Sequence, residues 1–273
     1  MKNEGAKAKK RILIVWLLLL AAVAAVIFAV GLDAQPHSET IKETMRDGVL
    51  HETNQISLFG LRVNPGLISA YVVTAVMLLV ALLIRLFAIP RFKMVPGRFQ
   101  TILEKPVEFF RDMAKANSPH RTGFVSAYIF SAGCYILFST LFELLGLQAV
   151  TTEGMSIALP APIADINAAI AMGFLSYGVI LVTGIVSGGL RGLLGVLKDF
   201  SLPISMSFRL FGALLSGLLV TELVYYYTAL SFVLPVFVGV MFTLLHAVIQ
   251  AYVLTTLVSI FYGEAAEPKT PKK

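Results

Sequence analysis

A chain of 273 residues in which 57% are hydrophobic and 14% charged is too apolar for a water-soluble domain, and it holds several runs long enough to cross a bilayer. Its net charge of +6 does not mark a nucleic-acid binder, because the basic residues cluster between the apolar runs, where they set orientation. A single cysteine, Cys134, excludes an intrachain disulfide and a thiolate metal site. The expected class is an all-α polytopic membrane protein.

Met1 to Arg11 is basic and precedes an apolar run from Ile12 to Leu32, which reads as a first spanning helix. A cleaved signal peptide is the competing reading, although the run is longer than the usual hydrophobic region of such peptides. Residues 33–65 read as an outer loop with some local helix. Gly66 to Pro90 is the second span. A basic stretch follows, in which Phe99, Ile102, Leu103, Phe109, Phe110 and Met113 recur at helical spacing, opposed by charged residues. That pattern predicts one amphipathic helix on the membrane surface, kinked or broken near Pro106, serving as an interface anchor without chemistry.

Gly123 to Leu147 is the third span, with Glu143 near its end. The next loop carries no lysine or arginine and closes in PAPIADIN before a fourth span, Asn167 to Leu190. Asp165 stands where a helix N-cap belongs. It is either that cap or a carboxylate at the mouth of an ion path.

After a short basic connection comes the stretch SMSFRLFGALLSG, Ser205 to Gly217, inside a helix expected from about Leu202 to Tyr227. On a 3.6-residue repeat Ser205, Arg209, Gly212, Ala213 and Ser216 share one narrow face, small residues around a single charge. Small residues admit a second helix, and a charge inside a membrane helix costs about 2.5–3.5 kcal/mol unless it is used. Arg209 stays protonated at any working pH, so it acts as a fixed charge or multi-donor clamp whose natural partner is a carboxylate. The bland alternative is an arginine snorkelling to the interface. A turn near Ser231 leads into the last apolar run, to Tyr262, where Gly239, Thr243, His246 and Gln250 form a polar stripe.

Counting charge between six spans, with the N-terminus inside, puts 17 Lys/Arg in inner segments against 3 in outer loops, so both termini are expected in the cytoplasm. Four segments result: 1–32 a basic flank and span, 33–65 an outer loop, 66–262 the membrane domain, and 263–273 a disordered tail. No HExxH pair, phosphate-binding loop, dinucleotide fingerprint or serine elbow occurs, so neither cofactor nor metal is expected. Glu222 and His246 are titratable groups in the last two spans, and intramembrane ionisable residues default to ion or proton paths. Either can instead be a packing residue.

At these residues the sequence resembles a known family. SFRLFG at Ser207 to Gly212, PIADIN at Pro162 to Asn167, PGRFQTILEKPVEFF at Pro96 to Phe110, and Gln250-Ala251-Tyr252 look like subunit a of bacterial F-type ATP synthases, from about Ile56 to Tyr262. The resemblance implies the stator half of a rotary ion motor in the cell membrane. Two long, tilted C-terminal helices would lie against a ring of c subunits, with b subunits and lipid as further neighbours. Ions would enter by one half-channel, neutralise a ring carboxylate and leave by another. Arg209 matches the family's essential arginine and Gln250 the glutamine facing it, while Asp165 and Asn167 lie in a matching motif.

The chain departs from the pattern at Ala213, Leu218 and Thr243, where the family commonly carries polar groups. Glu222 and His246 stand one turn away on roughly the expected faces, so the path the resemblance implies would be displaced rather than lost. If the last two spans run antiparallel with Leu218 level with Thr243, His246 lies about 10 Å deeper than Glu222. The two would then be successive stations. A stand-alone transporter and a non-conducting scaffold remain the alternative readings, and the sequence leaves H⁺ and Na⁺ both open.

Overall fold

The computed structural model describes residues 56–58, 61–150, 156–226 and 234–267, with Ala25 an isolated helical position. The expected first span, Ile12 to Leu32, lies outside the described residues. Among the described residues there are six long helices: α1 Pro65–Leu83, α2 Arg98–Asn117, α3 Thr122–Leu141, α4 Ile166–Leu197, α5 Ser201–Tyr226 and α6 Leu234–Ala266. Two short antiparallel hairpins, β1 Ile56–Leu58 with β2 Leu61–Val63 and β3 Gln148–Val150 with β4 Ser156–Ala158, sit in the loops. The fold is therefore all-α. The end of the first expected loop forms the β1–β2 hairpin, and the rest of that loop, with the local helix expected in it, lies outside the described residues.

Four stretches among the described residues are long and apolar enough to cross a membrane: Pro65–Arg91, Thr122–Leu145, Ile166–Leu197 and Gly239–Ala266. The helix carrying Arg209, α5, has 26 residues, about 39 Å at 1.5 Å per residue, which exceeds a ~30 Å hydrocarbon core. By contact the chain divides into two compact units, Met1–Leu50 with Ser216–Phe242, and His51–Leu215 with Thr243–Lys273.

The second, larger unit has a main core built from Val125, Ile129 and Ile136 of α3, Ile180 of α4, Met206 and Leu210 of α5, and Leu254 and Val258 of α6, and a smaller cluster of Ile56, Val73, Phe142 and Leu159. Five buried hydroxyls are satisfied within their own helices, while those of Ser118 and Ser139 have no hydrogen-bond partner among the described residues. Thr140 donates to the Ile136 carbonyl, Ser176 to Met172, Thr183 to Val179, Ser207 to Pro203 and Thr255 to Ala251, all at 2.6–2.9 Å. Small hydroxyls closed in this way let apolar helices approach without leaving an unpaired donor.

The fourth helix does not run straight. Gly189 has φ 56° and ψ −138°, a left-handed conformation that glycine adopts without a Cβ clash. Beyond it the chain folds back, because the Tyr177 hydroxyl donates to the Val196 carbonyl at 3.2 Å although the two are 19 residues apart. In a straight helix they would be about 28 Å apart. The return is tight, and a Cβ on Gly192 would collide with the Gly184 carbonyl oxygen. The spanning part of α4 thus ends close to the expected Leu190.

Two further expectations are corrected. The expected break near Pro106 is absent, since the surface helix α2 runs from Arg98 to Asn117 with Pro106 inside it. The last helix continues through Ala266, past Gly263 where a disordered tail was expected, because Ala265 and Ala266 are buried in the core.

Candidate functional site

Arg209 is placed by the opposite side of its own helix. Leu202, Met206, Leu210 and Leu214 recur every fourth residue and are buried in the core, while Gly173 of α4 leaves room for Pro203 and Ser207 to approach closely. This anchoring turns Ser205, Phe208, Arg209 and Gly212 outward, with Ala213 half-buried beside them; Ser216, the fifth member of the expected face, falls in the smaller unit. A Cβ added to Gly212 would meet nothing within 4 Å. Among the described residues Arg209 makes no hydrogen bond or ion pair. Within the larger unit, Ser205 and Gly212 are thus exposed on either side of the Arg209 cation.

On α6 the polarity is reversed. Thr243 and Gln250 are 9% and 8% exposed and His246 is half-buried, so the polar stripe turns toward the protein interior. Gly239, its fourth member, falls in the smaller unit. The outward side carries Leu244, Leu245, Val248, Ile249 and Tyr252. Gln250 makes no hydrogen bond to Arg209, and its buried Oε1 has no hydrogen-bond partner among the described residues. A buried acceptor left open in this way costs about 1–3 kcal/mol, which a donor from a partner or an ordered water removes.

Asp165 caps α4. Its Oδ1 accepts from the Asn167 backbone N–H at 2.7 Å, and its Oδ2 accepts from Asn64 Nδ2 at 2.8 Å. Asn64 is itself the N-cap of α1, accepting from the Gly66 N–H at 2.8 Å through Oδ1. The two caps form one clamp across 101 residues of sequence. Sequence reading missed Asn64, although Asn-Pro-Gly ahead of an apolar run is a helix-start signal. Asn167 joins the clamp through its backbone, and its side chain is exposed. No hydrogen bond links Asp165 or Asn167 to Arg209 or Gln250. Glu222 lies in α5, and its side chain is outside the described residues.

The sequence also missed what braces α6. Phe109 of α2 meets Tyr252 with ring centroids 6.3 Å apart, and Asn117 Nδ2 donates to Ser259 Oγ at 3.3 Å. Thr256 Oγ1 lies 3.7 Å from Met113 Sδ, and Gly263 is packed so closely that a Cβ there would strike the Asn117 carbonyl oxygen. Tyr252, Thr256, Ser259 and Gly263 stand at i, i+4, i+7 and i+11, one helical face. So α2 holds α6 from a point two residues beyond Gln250 to its last turn, a role beyond the surface anchor expected of it.

Comparison with known proteins bears on this arrangement directly. The profile of the family described as ATP synthase A chain matches residues 69–263, which include α2 and every candidate residue. The chain is similar to the ATP synthase subunit a of Cereibacter sphaeroides, 26% identical over 210 residues, covering 72% of this chain and 80% of that protein. It is also similar to the ATP synthase subunit a of a Methylobacterium species, 27% identical over 205 residues, covering 68% of this chain and 82% of that protein. With the match running from the first described span through the last, this multi-pass helical membrane protein belongs to the ATP synthase A chain family.

Proposed function

We propose that this membrane-sector subunit provides two ion half-channels and presents Arg209 to carboxylates of a c-ring, so that ion flow drives rotation. One observation carries the reading: an always-protonated guanidinium sits exposed beside Ser205 and Gly212 on the long helix α5, with no hydrogen-bond or ion-pair partner among the described residues. Such a charge calls for a carboxylate on another chain, and Gly212 leaves room for a helix to bring one. The orphaned Oε1 of Gln250 suits a station where a donor, water or guanidinium, arrives only in the assembled complex. Glu222 and His246 are assigned as successive proton stations, with Glu222 nearer the outer mouth. Asp165 and Asn167 lie at the start of α4, the outer end in the proposed orientation with both termini cytoplasmic. The ring and b subunits are the partners.

Ion flux through reconstituted protein tests the reading. The subunit incorporated alone into vesicles should hold a proton gradient, and the assembled membrane sector with its ring should dissipate it. Conduction by the isolated subunit would favour a transporter, and no conduction in either case would favour a scaffold.

A further inference from the structure

Where α1 ends, its backbone departs from α-helix through a π-helical turn, Ile84–Ala88, and a single tight turn, Ile89–Arg91, into the loop that leads to α2. This bend opens a cleft of about 640 Å³, walled by Leu83, Ile84, Phe87, Phe92 and Phe99 and carrying Arg91 and Lys93. The volume falls within the ~300–1,000 Å³ of ligand pockets. The loop is held in shape. Gln100 accepts from the Lys93 N–H at 3.0 Å and donates to the Lys93 carbonyl at 3.0 Å and to Glu104 Oε1 at 2.7 Å. Arg91 and Lys93 make no ion pair among the described residues, so both cations remain to be matched.

The loop tip adds an independent observation. Met94 and Val95 are 101% and 83% exposed, apolar side chains that the described protein leaves wholly uncovered, directly beside the two cations. Two unpaired cations at the end of a spanning helix, an apolar cleft leading away from them and an uncovered apolar tip next to them together match one chemistry, an anionic headgroup joined to acyl chains. A soluble phosphate would match the cations and leave the cleft and tip unexplained.

We propose that this cleft binds an acidic phospholipid, its phosphate between Arg91 and Lys93 and an acyl chain against Leu83, Phe87 and Phe99. The site fixes the α1–α2 corner in the membrane plane and does not depend on the ion path.

The test uses the full chain in detergent with phosphatidylglycerol and phosphatidylcholine of matched acyl chains in equal amounts, and retained lipid read by native mass spectrometry. The wild-type protein should retain phosphatidylglycerol preferentially. Arg91→Gln with Lys93→Gln should lose about fivefold of that preference per cation, whereas Arg91→Lys with Lys93→Arg should keep it. Lys93→Gln alone should give the intermediate loss and guards against a double variant that does not fold. Arg121→Gln, which removes a cation from a different cleft, should change nothing. Equal retention of the two lipids by the wild-type protein, or undiminished preference in the double variant, would overturn the proposal.

Discussion

Both carboxylate oxygens of Asp165 are engaged, one with the Asn167 backbone and one with Asn64, so its capping role and its charge can be separated by substitution. Asparagine caps a helix about as well as aspartate, while alanine at an N-cap costs about 0.5–2 kcal/mol. Asp165→Ala should therefore lower the thermal unfolding temperature in detergent, and Asp165→Asn, which keeps the cap but turns an amide NH2 toward the Asn64 NH2, should lower it by less. If the charge serves the ion path, Asp165→Asn will still slow ion-driven ATP synthesis, and an unchanged rate would reduce Asp165 to a cap. For the two proposed stations the expectation differs. Glu222→Gln and His246→Ala should each lower proton-driven synthesis while vesicles remain proton-tight, and unchanged rates and pH profiles in both would move the path elsewhere. At this scale the Arg209 face was legible because helical period alone places Ser205, Arg209 and Gly212 together. The orphaned Oε1 of Gln250 was not, since whether a buried amide finds a partner depends on neighbours distant in sequence.

Among the helices, glycine separates contacts made within the subunit from surfaces left for others. Gly192 lies against the Gly184 carbonyl, so Gly192→Ala must push the returning arm of α4 away, an overpacking cost of about 1–3 kcal/mol. A lowered unfolding temperature of the isolated subunit is the expected result. Gly212 meets nothing, so Gly212→Leu should leave the isolated subunit as stable as before yet impair copurification of the ring. A stable variant that assembles normally would mean that no helix docks on this face. The amphipathic period of α2 was readable in the sequence, but its grip on α6 was not. Periodicity gives the apolar side of a helix and not the neighbour that covers it; here Phe109, Met113 and Asn117 meet a face of α6 far along the chain, with separations of 142 and 143 residues for the Asn117 and Met113 contacts. The reversal at Gly189 was half legible. The basic connection after Leu190 marked an end to the span, while the fold-back rests on the long-range bond between Tyr177 and Val196.

Over the whole chain, the helical membrane class was legible in the long apolar runs, because a bilayer leaves few solutions for a backbone that must satisfy its own hydrogen bonds. Orientation rests on the placement of lysine and arginine, and a reporter fused after Lys273 should be active only on the cytoplasmic side. Activity outside the cell would reverse the assignment of outer and inner half-channels. The central claim is that Arg209 acts as a fixed, multi-donor cation opposite a carboxylate of another chain. Lysine keeps the charge but replaces a planar fork with a compact, strongly hydrated ammonium, and the two are not equivalent beside a desolvated carboxylate. Since Arg209 has no partner among the described residues, its replacement should not disturb the fold of the subunit. The most direct measurement is ion-driven ATP synthesis by the complex carrying Arg209→Lys, with assembly checked on the same membranes. The expected result is a fully assembled complex that makes no ATP from an ion gradient, whereas normal synthesis in that variant would contradict the claim.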